Sequence, residues 1–177
     1  MIGTPEKLIA YAAARGSVIA EDEAPILLVK ATDYMDTFSW TGQKPAGQED
    51  CWPRTGITYD GTPLIDAAGD EVTEIEDSEG DLVPLENGDV VYTPPVTPQT
   101  IINATYRVAM TIGDGTDIMA PSSGGKVKQE TVSGAVSITY ADGTESDPLV
   151  IPGFDNMVAP WLGYSGRNGI NFNVYRV

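Results

Sequence analysis

The sequence predicts an α+β protein: a small, mainly antiparallel helical bundle with a β-hairpin, a β-rich acidic insertion and an extended C-terminal arm. Three observations lead there. Apolar residues recur at steps of three and four in two stretches, Ala24, Leu27, Leu28, Ala31, Tyr34, Met35 and Phe38, then Ile101, Ala104, Thr105, Val108, Ala109 and Ile112. Each makes one apolar stripe on a helix that needs a partner on that side. Between them the chain changes to short β-type runs broken by turns, and after them Val136, Ile138 and Tyr140 alternate with polar residues as a half-buried strand does.

At 177 residues the chain is long enough for one domain with a real core plus an excursion. The expected organisation is a body of residues 1–56 and 95–163, which includes the hairpin 126–140, an insertion at 57–94 and an arm at 164–177. The 26 acidic residues outnumber the 10 basic ones, for a formal charge of −16. Such a chain is repelled by phosphate backbones and anionic lipid, which disfavours generic nucleic-acid wrapping and membrane binding. Neither a charged-then-apolar leader nor a long apolar run is evident, and the single Cys51 has no disulfide partner within the chain. Synthesis in a cytoplasm is the expectation.

Taken in order, Thr4-Pro5 opens a first helix of about residues 5–15, because Thr caps and Pro is at home where a helical N–H has no partner. Gly16 ends it, and the small Ala12 and Ala13 allow close approach to the helix at 21–37, so the two are expected to pair as a hairpin. That second helix runs into Trp40-Thr41-Gly42 and Trp52-Pro53-Arg54-Thr55-Gly56, a loop too rich in Gly and Pro to stay helical. Arg54 is expected to stack on an indole or to fork onto Asp33 or Asp36, clamping loop to helix. Trp40, Trp52 and Arg54 are also residue types that dominate interface hot spots, so contact with another subunit is the competing role.

Residues 57–95 hold eleven acids and no Lys or Arg, with turn signals at Asp60-Gly61, Ala68-Gly69, Glu79-Gly80 and Asn87-Gly88. Asp77-Ser78-Glu79-Gly80-Asp81 lacks the regular ligand positions and terminal bidentate Glu of a calcium loop, so a solvated acidic face is expected and no metal site. Thr97-Pro98 begins the helix of the second stripe, and Gly113-Asp114-Gly115 stops it. After a Gly/Ser link come the hairpin and a short helix marked by Phe154, Met157, Val158, Trp161 and Leu162, bent or restarted at Pro160. The tail then alternates Ile170, Phe172 and Val174 with asparagines, carries Arg167, Tyr175 and Arg176, and has no acid. It reads as an arm that adds an extended segment to a neighbouring protein, the alternative being a strand folded back on its own insertion.

No catalytic apparatus is expected. The chain has no His, which removes Ser-His, Cys-His and histidine-metal chemistry, and Cys51 has no evident activating base. Carboxylate pairs in the insertion are expected to be solvated rather than hydrolytic, and no cofactor motif is present.

The helix with Ala31-Thr32-Asp33-Tyr34-Met35-Asp36, the Trp40-x-Gly42 pair, the Trp52-Pro53-Arg54-Thr55-Gly56 loop, the Val127–Tyr140 hairpin and the closing Met157-Val158-Ala159-Pro160-Trp161-Leu162 stand in one order. In these blocks, the larger part of the chain, it resembles the head-to-tail connector (adaptor) proteins of tailed bacteriophages, a family also labelled DnaT-like single-strand binding. The Trp-Pro-Arg-x-Gly loop is the most specific of them. The acidic insertion and the tail after Gly163 depart from the resemblance. It implies a non-enzymatic virion protein: a homo-oligomeric ring, expected to be a dodecamer, in the neck between the portal and the tail or tail-completion proteins, with double-stranded DNA passing through. A negative lining suits such passage, since a basic one would hold the DNA. The alternative function is that of a single-stranded DNA-binding accessory protein, against which stands the lack of a basic groove with interleaved aromatics.

Overall fold

The computed structural model describes residues 1–116, 118, 129–132, 136–139 and 151–163, the segments 129–132 and 136–139 by their backbone alone. Four helices and small antiparallel strand pairs make it α+β.

Helix α1 spans Pro5–Ala13, with Thr4 as its cap accepting the Lys7 N–H at 3.3 Å. Its termination is as local as its start, for Gly16 takes the left-handed conformation at φ +79°. Helix α2, Ala24–Met35, buries Ala24, Leu27, Leu28, Ala31, Thr32 and Met35. Buried Thr32 is satisfied twice, its hydroxyl donating to the Leu28 carbonyl at 2.9 Å and accepting the Ile2 N–H at 3.2 Å. Helix α3, Gln99–Gly113, starts just after the expected Thr97-Pro98, which belong to a strand and give no side-chain cap; it buries Ile101, Ala104, Thr105, Val108 and Ala109 as its periodicity predicts, leaves the expected Ile112 partly buried, and also buries Ile102 and Tyr106. This wider face follows from its place: α3 packs against α1, α2 and the short α4, Phe154–Val158. A 3-10 turn, Ala159–Trp161, follows α4 at Pro160.

The β elements differ from a string of local hairpins. Strand β1 (Ile57–Thr58) pairs with β5 (Val90–Val91), and β2 (Leu64–Asp66) pairs with β6 (Val96–Pro98). The two pairings interleave along the chain instead of nesting, so neither closes until the far end of the segment has returned. Only β3 (Glu74–Glu76) and β4 (Leu82–Pro84) form a local hairpin there. The stretch expected as one projecting insertion, 57–94, is therefore anchored at both ends: Ile57, Leu64 and Val91 are buried in the same core as the helices. Strands β7 (Gln129–Val132) and β8 (Val136–Thr139) make the expected later hairpin.

The acids of this excursion have a structural use. Asp66 Oδ1 accepts the main-chain N–H groups of Ala68, Gly69 and Asp70 at 2.8–3.0 Å, and Asp77 Oδ1 accepts those of Glu79 and Asp81 at 2.8 and 3.0 Å. Both turns read Asp-x-x-Gly-Asp. In each, the carboxylate supplies the acceptor that a tight turn leaves its amides without, which is why Asp recurs at turn starts. The amides in turn hold the Asp77 carboxyl below its ordinary pKa.

Candidate functional site

The Trp-rich loop, residues 36–56, lies over the C-terminal end of α2. Trp40 donates its indole N–H to the Met35 carbonyl at 2.9 Å, using one of the acceptors a helix end leaves free. Its main chain pairs with the end of the body: Thr41 N–H donates to the Trp161 carbonyl and Gly163 N–H to the Ser39 carbonyl, both at 2.8 Å. Trp161 is itself tied to α3, its indole N–H donating to Thr100 Oγ1 at 3.0 Å. Trp40 and Trp52 meet edge to face, centroids 5.7 Å apart, and Phe38 bridges Trp40 to Phe154 at 5.7 and 5.6 Å. Such aromatic contacts add to simple area burial.

Trp40 is 7 % and Trp52 2 % exposed. The two tryptophans singled out as interface candidates thus pack inside their own chain. Arg54 does hold the loop, but not by the carboxylates expected of it. Its Nε donates to the Thr41 carbonyl at 2.6 Å, one terminal nitrogen to Cys51 at 3.1 Å and the other to Gly42 at 2.9 Å, all main-chain oxygens. Its guanidinium carbon sits 5.9 Å from the Trp52 ring, so the expected indole neighbour is present. The fork onto Asp33 or Asp36 is not made: Asp33 is exposed, and Asp36 accepts the Cys51 N–H at 2.8 Å. The physical reason is the bend of the loop, whose converging carbonyls need donors more than the exposed acids do. Gly42 makes that bend at φ +70°, where a Cβ would stand 2.5 Å from the Thr55 carbonyl oxygen.

Sequence reasoning missed Gln48, whose amide donates to the Asp50 and Pro53 carbonyls at 2.8 Å each. A polar residue in a Pro-rich loop carries no spacing signal that separates such a brace from a solvated side chain.

Cys51 lies buried beside Asp36. Burial first, then the hydrogen bond and charge of Asp36, push its thiol well above the ordinary 9.0. The thiol stays protonated, the opposite of an activated nucleophile. Burial also pulls the Arg54 guanidinium down from its ordinary pKa. Asp36, Trp40, Lys44, Cys51 and Arg54 face an open cleft of about 390 Å³. The arm residues Arg167, Ile170, Phe172, Val174, Tyr175 and Arg176 lie outside the described residues.

A family model described as "Putative DnaT-like ssDNA binding protein" matches residues 4–73 and 85–177. The chain belongs to that family. The match includes the Trp-rich loop and continues to residue 177, so the tail is part of the family pattern rather than a departure from it. Between the two matched segments only 74–84 falls outside, the β3–β4 hairpin, and not the whole of 57–94. Neither the curated proteins nor the solved structures contain a significant match to this chain.

Proposed function

We propose that this chain is a virion structural protein, a head-to-tail connector that forms a ring in the phage neck between the portal and the tail or tail-completion proteins. Double-stranded DNA passes through the lumen, and assembly takes place in the host cytoplasm. The reading is supported by the connector-like order of the Trp-rich loop, hairpin and closing Met157–Leu162 block. One observation carries it against plain DNA binding: the tryptophans are spent in the interior, none of the three more than 7 % exposed, in a chain of formal charge −16. A sequence-tolerant single-strand binder needs exposed ring faces beside cations. A ring that must let a duplex slide needs the reverse, a wall that does not hold phosphate.

The family description favours a second reading, that of a single-stranded DNA-binding accessory protein. Imaging of virion necks separates the two. The connector reading expects this chain as a ring beneath the portal; virions that lack it, with the chain found on single-stranded DNA in infected cells, sink the connector and leave the second reading.

A further inference from the structure

We propose that the cleft beside Arg54 is a socket for an acidic side chain of a second copy of this chain, an inference that rests on the ring reading above. Two cations line the cleft, and neither is in an ion pair among the described residues. The Arg54 guanidinium meets main-chain carbonyls and no carboxylate, and the exposed Lys44 donates to the carbonyl of Glu49. Among the described residues the only ion pair joins the Met1 amino group to Asp50. Asp36, the acid in the cleft wall, accepts the Cys51 N–H and keeps its charge, so the two cations outnumber it by one. Carbonyl dipoles satisfy the donors of a guanidinium but leave its charge, so the side chains lining the cleft carry one net positive charge on a strongly acidic chain.

The net charge selects the occupant. Two copies at −16 each repel on contact unless acid is set against cation where they touch. A closed ring uses a heterologous interface, in which two different surfaces of the chain meet. A cationic cleft on one surface and the exposed carboxylates that crowd the rest are therefore complementary without any further component. Nucleic acid suits the cleft less well, since Trp40 in its wall is buried and offers no open ring face for a base to stack on.

The test is zero-length carbodiimide cross-linking of assembled rings made from a mixture of isotopically light and heavy chains, read by mass spectrometry. The expected product is a light–heavy amide between Lys44 Nζ and an Asp or Glu, which also names the acid. Lys44→Glu, an exposed change that leaves the fold standing, should lower the assembled fraction roughly tenfold at ~0.15 M salt, the loss of one well-placed charge pair. Rings that form without a Lys44 cross-link between copies, and that form equally well from Lys44→Glu, overturn the socket and leave the connector reading intact. Absence of a ring of this chain from virion necks overturns both. Oligothymidylate binding that Lys44→Glu abolishes, with no cross-link between copies, assigns the cleft to nucleic acid and overturns the socket as well.

Discussion

The main-chain N–H of Leu85 donates to the carbonyl of Thr73 at 2.9 Å, so the β3–β4 hairpin leaves the body and returns to it at one point. The same residues bound the stretch that the family pattern leaves out. Joining Thr73 to Leu85 through a short glycine turn should therefore keep the helical circular dichroism and a single cooperative transition. The cost should be about 1–2 kcal/mol, the loss of the half-buried Ile75 from the edge of the core. Loss of cooperativity would mean that the hairpin supports the body.

Arg54 organises the bend by filling its carbonyls. Arg54→Ala should lower unfolding stability by about 1–3 kcal/mol, because partly buried acceptors lose a charged donor. Arg54→Lys should recover only part, since one ammonium does not reproduce the spread of a guanidinium fork. Denaturant midpoints measure both, and an unchanged midpoint for the alanine variant removes the clamp.

Two glycines of similar backbone conformation should respond differently to alanine. Gly42 has φ +70° and a Cβ there would stand 2.5 Å from the Thr55 carbonyl oxygen and 2.6 Å from Ile57, whereas Gly47 has φ +79° and open space. Gly47→Ala should cost about 1–2 kcal/mol for the left-handed conformation alone. Gly42→Ala should cost a further ~1–3 kcal/mol for the displaced backbone and core. Equal losses would show that the bend relaxes freely.

The buried thiol makes a signed prediction about pH. Cys51 is raised above 9.0 in the fold, and Tyr34 and Tyr106 are raised above 10.0, in each case chiefly by burial. Above those values the unfolded chain releases protons that the folded chain keeps, so stability present below pH ~9 should fall as pH rises further. Cys51→Ala should remove the part of the decline that starts nearest pH ~9. In parallel, a thiol reagent at pH ~8 should label Cys51 slowly in the native protein and fast in urea. Prompt native labelling contradicts the burial.

Binding to oligothymidylate decides how far the family description extends to this chain. At about 0.15 M salt the connector reading expects no sub-micromolar binding, and a steep salt slope with tight binding would favour the accessory role.

The sequence by itself determined the helices. Thr4-Pro5 and Gly16 bound α1, the three-and-four spacing marks most of the buried faces of α2 and α3, and the 3-10 turn after α4 falls at Pro160, because caps, breakers and periodicity act within a few residues; Phe38 of the first stripe lies past the end of α2, and Thr97-Pro98 went to a strand instead of opening α3. The Trp-Pro-Arg loop was legible as a clamp for the same reason: its composition is unusual whatever surrounds it. Only the tertiary structure decided what the clamp grips. Arg54 has carboxylates nearby in sequence, yet the chain bends its own carbonyls around the guanidinium, and that bend is fixed by main-chain pairing of Arg54 with the distant Val96. The interleaved pairing of β1 with β5 and β2 with β6 was illegible too. Turn signals announce where a chain reverses but not which distant strand it meets, and that choice fell to the burial of Ile57, Leu64, Val91 and Val96 in one core.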